Sequence, residues 1–323
     1  MNSAGFCYII NPTIPSEFTE VSRQIADFTE EKKYRRKQYK MMGNGVEQSV
    51  RFCLAACTDK GKTRAVNQDA LLLQQAVCGR RRYVLAAVCD GLGGLEKGEL
   101  ASSEVLRSLA DWFQSRFPEV LMAGFPEREL LEDWKNLVHT ENERLRTYGE
   151  KQGIVLGTTL TAALFTEENW YCVHVGDSRL YEIAADTARQ LTRDHSLAAE
   201  AVERGFMTRE EGERDRRRSV LTRCIGACPE TVAEYQRGTI RQDAMYLLCT
   251  DGFWHGNAPE RLAADFSPEL LTGERQMQRA AKRVTARNRR HGEKDNISAL
   301  LVRPQEGGKA GKRGRLCWKS ERS

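Results

Sequence analysis

Apolar residues run without a break from Val84 to Cys89 and stop on Asp90 and Gly91. A short run rich in β-branched valine, ended by a turn, predicts a strand buried on both faces. The run from Tyr246 to Cys249 repeats the pattern and meets Asp251-Gly252 after Thr250, and Asp295-Asn296 opens a third run over 297–302. Further strands are expected at 50–56, 71–73, 160–165, 170–175, 179–183 and 232–239. Helical spacing puts Leu100, Val105, Leu106, Leu109 and Phe113 on one face, and helices are expected over 127–148 and 276–288. Residues 194–218 read as polar and helical. The short Gly176-Asp177-Ser178 link between two strands predicts antiparallel pairing. Strand groups separated by pairs of helices give an α+β class, two packed antiparallel sheets with helices outside.

An aspartate that ends a buried strand stands at the mouth of a core. Gly91, Gly93 and Gly94 would let the backbone fold back after Asp90, so that a carbonyl and the carboxylate face one point. Such oxygen donors suit a hard divalent cation, Mg2+ or Mn2+. One Asp-Gly after a strand is more often an ordinary turn. Three aspartates at strand ends, far apart in sequence, are a better basis for a shared pocket.

Composition narrows the class. With 323 residues, 40% hydrophobic and 29% charged, the chain can bury a full core. No apolar run nears the roughly 18 residues of a membrane span, and the amino terminus lacks a signal-peptide order, so a cytoplasmic protein is expected. Ten cysteines sit mostly inside apolar runs. The Cys53/Cys57 and Cys224/Cys228 spacings suit zinc poorly, so reduced structural thiols are expected. The net charge of +5 is mostly terminal, with about +5 from Arg303 onward and about −1 over 51–302. Residues 1–48, with the basic cluster at 32–37, read as an extension that is not part of the core. Residues 49–303 read as the compact domain and 304–323 as a basic disordered tail. No basic face with interleaved aromatics marks a nucleic-acid binder.

The ordered set of Arg64 to Asp69, Asp90-Gly91-Leu92-Gly93-Gly94, Gly157-Thr158-Thr159, Gly176-Asp177-Ser178-Arg179, Asp194-His195-Ser196, Leu221-Thr222-Arg223, Asp251-Gly252 and Asp295-Asn296 resembles the bacterial metal-dependent Ser/Thr protein phosphatases of the type-2C (PPM) family. The resemblance covers about residues 51–302. It implies a four-layer α-β-β-α sandwich with two Mn2+ or Mg2+ ions between the sheets. By position Asp90 would bridge both ions, the Gly91 carbonyl would bind one, and Asp251 and Asp295 would complete the other. Asp69 would orient bound water as an outer carboxylate, and Arg64 would grip the substrate phosphate. The implied reaction is hydrolysis of phosphoserine and phosphothreonine by a metal-bridging water, on phosphoproteins made by a Ser/Thr kinase. A monomer is expected, with residues 194–220 forming a flap beside the site.

Three departures from the family pattern matter. Gln68 stands where many relatives carry Glu, which removes a charge beside the site. Leu92 replaces a His proposed as general acid in some eukaryotic relatives. Val155 lies where several bacterial relatives place an Asp for a third ion, which leaves that ion in doubt. Asp177 and Arg179 are read as turn-forming, His195 as a loop anchor and His174 as a satisfied core histidine. Two rival functions stand beside the enzyme: a catalytically silent binding module, supported by Gln68 alone, and a phosphatase of small metabolites.

Overall fold

A computed structural model describes residues 7–10, by their backbone alone, with 50–92 and 97–305. The basic cluster at 32–37, the tail beyond 305 and the glycines Gly93 and Gly94 lie outside the described residues. The strands are β1 (Cys7–Ile10), β2 (Arg51–Asp59), β3 (Asp69–Cys78), β4 (Arg81–Asp90), β5 (Leu160–Phe165), β6 (Asn169–Val175), β7 (Arg179–Ala184), β8 (Thr187–Gln190), β9 (Glu234–Thr239), β10 (Ala244–Cys249) and β11 (Ile297–Gln305). One sheet runs β1-β3-β4-β5-β6-β9 and the other β2-β11-β10-β7-β8, with every pairing antiparallel.

Helices α1 (Gly98–Ser115), α2 (Phe117–Met122) and α3 (Glu127–Gln152) cover the first sheet. After α4 (Leu197–Glu203) and α5 (Arg209–Arg214) in the flap come α6 (Asp251–Trp254), α7 (Pro259–Asp265) and α8 (Glu274–Arg290), which cover the second. The order of layers is therefore α-β-β-α. Among the described residues no helix is long and apolar enough to cross a membrane.

Double burial explains the unbroken apolar runs. In β4, Leu85, Ala87 and Cys89 point to the helices, while Val84, Ala86 and Val88 point to the opposite sheet. In β10, Met245, Leu247 and Cys249 face the helices and Tyr246 and Leu248 the inter-sheet core. With both faces dry, alternation of polar and apolar residues disappears from the sequence.

Two expectations change. The Gly176-Asp177-Ser178 link is not a hairpin turn, because β6 belongs to one sheet and β7 to the other. Gly176, at φ +109°, makes this crossing, and a Cβ there would lie 2.5 Å from Thr159 Cγ2. Within the stretch read as an extension, Cys7–Ile10 pairs with 71–74 at the edge of the first sheet.

Candidate active site

Two adjacent strands of each sheet deliver an aspartate to the same end of the sandwich. Asp69 and Asp90 face each other across β3 and β4. Asp251 begins α6 just after β10, and Asp295 lies just before β11, the neighbour of β10. The Asp251-Gly252 pair is thus the first turn of a helix, not a free turn. Gly252 is required there, since a Cβ would fall 2.2 Å from the Asn296 carbonyl.

The glycine and threonine motifs hold this geometry through the backbone. Asp90 N donates to Thr159 Oγ1, its carbonyl accepts from Thr159 N, and Thr158 Oγ1 donates to the same carbonyl, each at 2.9 Å. Thr159 Oγ1 also meets Ser178 Oγ at 2.8 Å. The Gly-Thr-Thr and Gly-Asp-Ser segments therefore interlock behind Asp90. Gly91 donates to the Gln68 carbonyl at 3.1 Å, and a Cβ on it would lie 2.3 Å from the Gly98 carbonyl at the start of α1. Gln68 itself donates to Glu99 Oε2 at 3.3 Å, and its backbone N–H donates to Asn296 Oδ1 at 2.8 Å. It is a tie between segments, with no direct contact to Asp90 among its hydrogen bonds.

The pocket holds more negative charge than positive. Burial, then Asp69, Asp251, Asp295 and Asp177, push the Asp90 carboxyl well above the usual range. Burial pushes Asp69 up to about 7, although Ser298 and Thr250 favour its ionised form. Asp69 Oδ2 accepts from Thr250 Oγ1 at 2.9 Å, while Asp69 Oδ1 and Asp251 Oδ1 are buried without a partner among the described residues. Unpaired buried carboxylate oxygens are costly unless a cation or water meets them.

Arg64 is the guanidinium at this mouth, and it forks onto Asp295 with Nε–Oδ1 3.0 Å and Nη2–Oδ2 2.7 Å. The two residues expected to hold phosphate and metal separately are thus paired with each other. Both are about one-third exposed, at 34% and 28%, so the pair is open to exchange with solutes. Among the described residues no three carboxylate, imidazole or thiol groups converge on one point. The donor set nevertheless fits Mg2+ or Mn2+, because these ions keep several waters and need only a few carboxylates. Asp90 and Asp251 would have to draw closer together around such an ion, and Asp295 would have to loosen its hold on Arg64.

Sequence reading missed three contributors. Thr250 pins Asp69 and accepts from Ser298 N at 3.1 Å. His255 lies 3.9 Å from Asp251 and 3.6 Å from Glu293. Glu293 is held below the usual carboxylate range by His255 and backbone N–H groups, against the effect of its burial. The i,i+4 spacing of Asp251 and His255 was the available signal, but a four-residue helix is too short to read from periodicity.

Of the other singled-out residues, Arg179, His195 and His174 gather at the root of the flap, while Asp177 lies between them and the acidic pocket, its carboxyl pushed well up by burial, then by Asp251 and Asp194. Arg179 donates to Asp194 at 2.6–3.1 Å and to Tyr181 Oη at 2.8 Å, and its guanidinium lies 3.3 Å from the centroid of the Trp254 ring. His195 Nδ1 accepts from Gly176 N at 3.1 Å, and Nε2 meets Glu234 at 3.3 Å. His174 Nε2 donates to the Arg193 carbonyl at 2.9 Å. Both rings serve as anchors. In the flap, Arg217 is tied to Asp215 and Arg218 to the Glu213 carbonyl, while Arg214 and Arg216 make no ion pair among the described residues.

Comparison with known proteins agrees with this arrangement. The family model for Protein phosphatase 2C matches residues 58–301. The Serine/threonine phosphatase stp of Listeria innocua is 29% identical over 248 residues, 76% of this chain and 93% of that protein. The crystal structure of Stp1 from Staphylococcus aureus, a Serine/threonine phosphatase, superposes with TM-score 0.68 at 25% identity, covering 81% of this chain and 99% of that one. The catalytic domain of the serine threonine protein phosphatase PstP, crystallised in complex with two manganese ions, gives TM-score 0.63 at 27% identity, covering 80% and 100%.

Proposed function

The chain belongs to the protein phosphatase 2C family, and from that premise we propose that it is a Mn2+- or Mg2+-dependent hydrolase of phosphoserine and phosphothreonine in proteins. The observation that carries this reading is the surplus of carboxylate at one mouth, with Asp69 Oδ1 and Asp251 Oδ1 left without hydrogen-bond partners among the described residues. A buried acidic site of this kind is stabilised by divalent cations.

Asp90, Asp251, Asp295 and the Gly91 carbonyl would hold the cations. When bound, two such ions would neutralise the phosphate dianion and make water nucleophilic at neutral pH. Asp69, fixed by Thr250, would orient water from outside the ligand set. Arg64 would trade Asp295 for the phosphate, whose oxygens suit a guanidinium fork. Ion binding at Asp295 and phosphate binding at Arg64 are coupled in this scheme, because each breaks the same salt bridge. The bond broken is the phosphate ester P–O bond, and the products are inorganic phosphate and the free hydroxyl. The substrates proposed are phosphoproteins made by a Ser/Thr kinase, in the cytoplasm.

The test is hydrolysis of a phosphothreonine peptide with Mn2+, with Mg2+ and with excess chelator, beside a panel of phosphorylated metabolites. Thermal stability with and without Mn2+ supplies a readout besides turnover. Turnover and a Mn2+-dependent rise in Tm, both lost in Asp251→Asn, are expected. A Tm rise without turnover on any substrate would favour the silent binding module.

A further inference from the structure

Cys224 Sγ and Cys228 Sγ lie 3.4 Å apart, and among the described residues this is the sole sulfur–sulfur contact. Cys224 is buried and Cys228 half-buried, so only one of the two meets solvent readily. The turn between them is unusually constrained. Gly226 sits at φ +99°, where a Cβ would fall 2.8 Å from the Leu156 carbonyl and 3.0 Å from the Leu145 Cβ. Asn142 accepts from Gly226 N at 2.7 Å and donates to the Cys228 carbonyl at 3.2 Å, and Thr231 Oγ1 donates to the Cys224 carbonyl at 2.6 Å. These bonds hold the two thiols together in a fixed frame. The residue after Cys224 reaches the candidate active site: Ile225 and Thr158 exchange two backbone hydrogen bonds of 2.9 Å, and Thr158 Oγ1 donates to the Asp90 carbonyl.

We propose that Cys224 and Cys228 are a reversible oxidation site that closes to a disulfide and weakens catalysis through the Ile225–Thr158–Asp90 connection. A disulfide needs the sulfurs to approach from 3.4 Å to about 2.05 Å. The oxidant is a peroxide or a small-molecule disulfide. With hydrogen peroxide, the Cys228 sulfur attacks oxygen, gives a sulfenic acid and releases the first water. The Cys224 sulfur then displaces the hydroxyl as a second water. Two thiols and one peroxide thus become one disulfide and two waters, with two electrons passing from sulfur to oxygen. A small disulfide reaches the same end through a mixed disulfide at Cys228, with release of two thiols. Burial, then Cys228, push the Cys224 thiol up to about 12, so the more exposed Cys228 is the sulfur placed to meet the oxidant first.

The linkage half of this proposal is independent of function, while the effect on turnover rests on the phosphatase reading. Both cysteines fall in one tryptic peptide, 224–237, because Arg223 and Arg237 flank it. Full-length protein is treated with hydrogen peroxide or oxidised glutathione, its free thiols are alkylated, and that peptide is weighed. The expected result is a peptide lighter by about 2 Da and refractory to alkylation, restored by dithiothreitol. In Cys224→Ser, glutathione should remain on Cys228. Both thiols still alkylated after the oxidant has consumed a free thiol control, or Cys228 carried on to sulfinic acid, would overturn the site. A several-fold, reducible loss of kcat in the linked protein, absent in Cys228→Ser, is expected. Full linkage with unchanged kcat would overturn the coupling. Reduced protein without any turnover would instead count against the phosphatase reading, and the peptide mass would still decide the site.

Discussion

Two buried acidic clusters flank Trp254, and they differ in how their charge is met. At the root of the flap, Asp194 receives three N–H contacts from Arg179, whose guanidinium also lies over the Trp254 ring. His195 and His174 have partners on both ring nitrogens. At the strand ends, burial raises the proton affinity of Asp69, Asp90 and Asp251. Asp251 adds to it at Asp69, Asp69 and Asp251 add to it at Asp90, and Asp295 adds to it at Asp251, while the nearby Arg64 is drawn to Asp295. The same residue type thus does two jobs. Where every oxygen has a partner, the aspartate fixes a loop; where oxygens are left over, it is free for the cation role proposed above.

The comparison is broken most sharply by exchanging one residue on each side. Asp251→Asn should lower turnover at least about a thousandfold, near 4 kcal/mol of barrier. It should leave the metal-free fold intact, because it removes charge from a crowded site. Kinetics and thermal melts of the metal-free protein check this together. Arg179→Met should act in the opposite sense. It strands Asp194 as an uncompensated buried charge and should cost about 3–5 kcal/mol in urea unfolding, and any loss of turnover should track the unfolded fraction. A stable but inactive Arg179→Met protein would erase the distinction between the clusters.

A smaller effect is expected at the hinge between them. Gly176→Ala puts a methyl 2.5 Å from Thr159 Cγ2 at a positive φ, for a loss of about 2 kcal/mol by urea unfolding. The smallest effect lies in pH. Burial, His174 and Arg223 push His195 down to about 3, whereas in the unfolded chain it takes up a proton near pH 6.5. Unfolding therefore binds a proton between those values, and stability is lost as pH falls, by up to about 1.4 kcal/mol per unit. Urea titrations at pH 7 and pH 5 should show a shallower loss in His195→Gln than in the parent chain.

Much of this was legible in sequence where local pattern and burial coincide. The doubly buried strands announced themselves as unbroken apolar runs, and the aspartates stood at their ends. The sheet crossover at Gly176 was not legible, because a three-residue link between strands reads as a hairpin unless the partner strands are known. Thr250 and His255 were missed because their roles depend on contacts made by neighbouring elements. The Arg64–Asp295 fork joins residues 231 apart in sequence, and no local pattern signals such a pairing. The nearness of Cys224 and Cys228 was visible as spacing, but only the turn at Gly226 brings the sulfurs together.

The most direct test of a cation site at these strand-end carboxylates is calorimetric titration of Mn2+ into the chelator-treated protein, with Asp251→Asn alongside. Saturable binding in the parent chain, weakened at least about tenfold in the variant, is the expected result. Absence of binding in the folded parent chain, or equal binding in both proteins, would contradict a divalent-cation site at the Asp69, Asp90, Asp251 and Asp295 mouth.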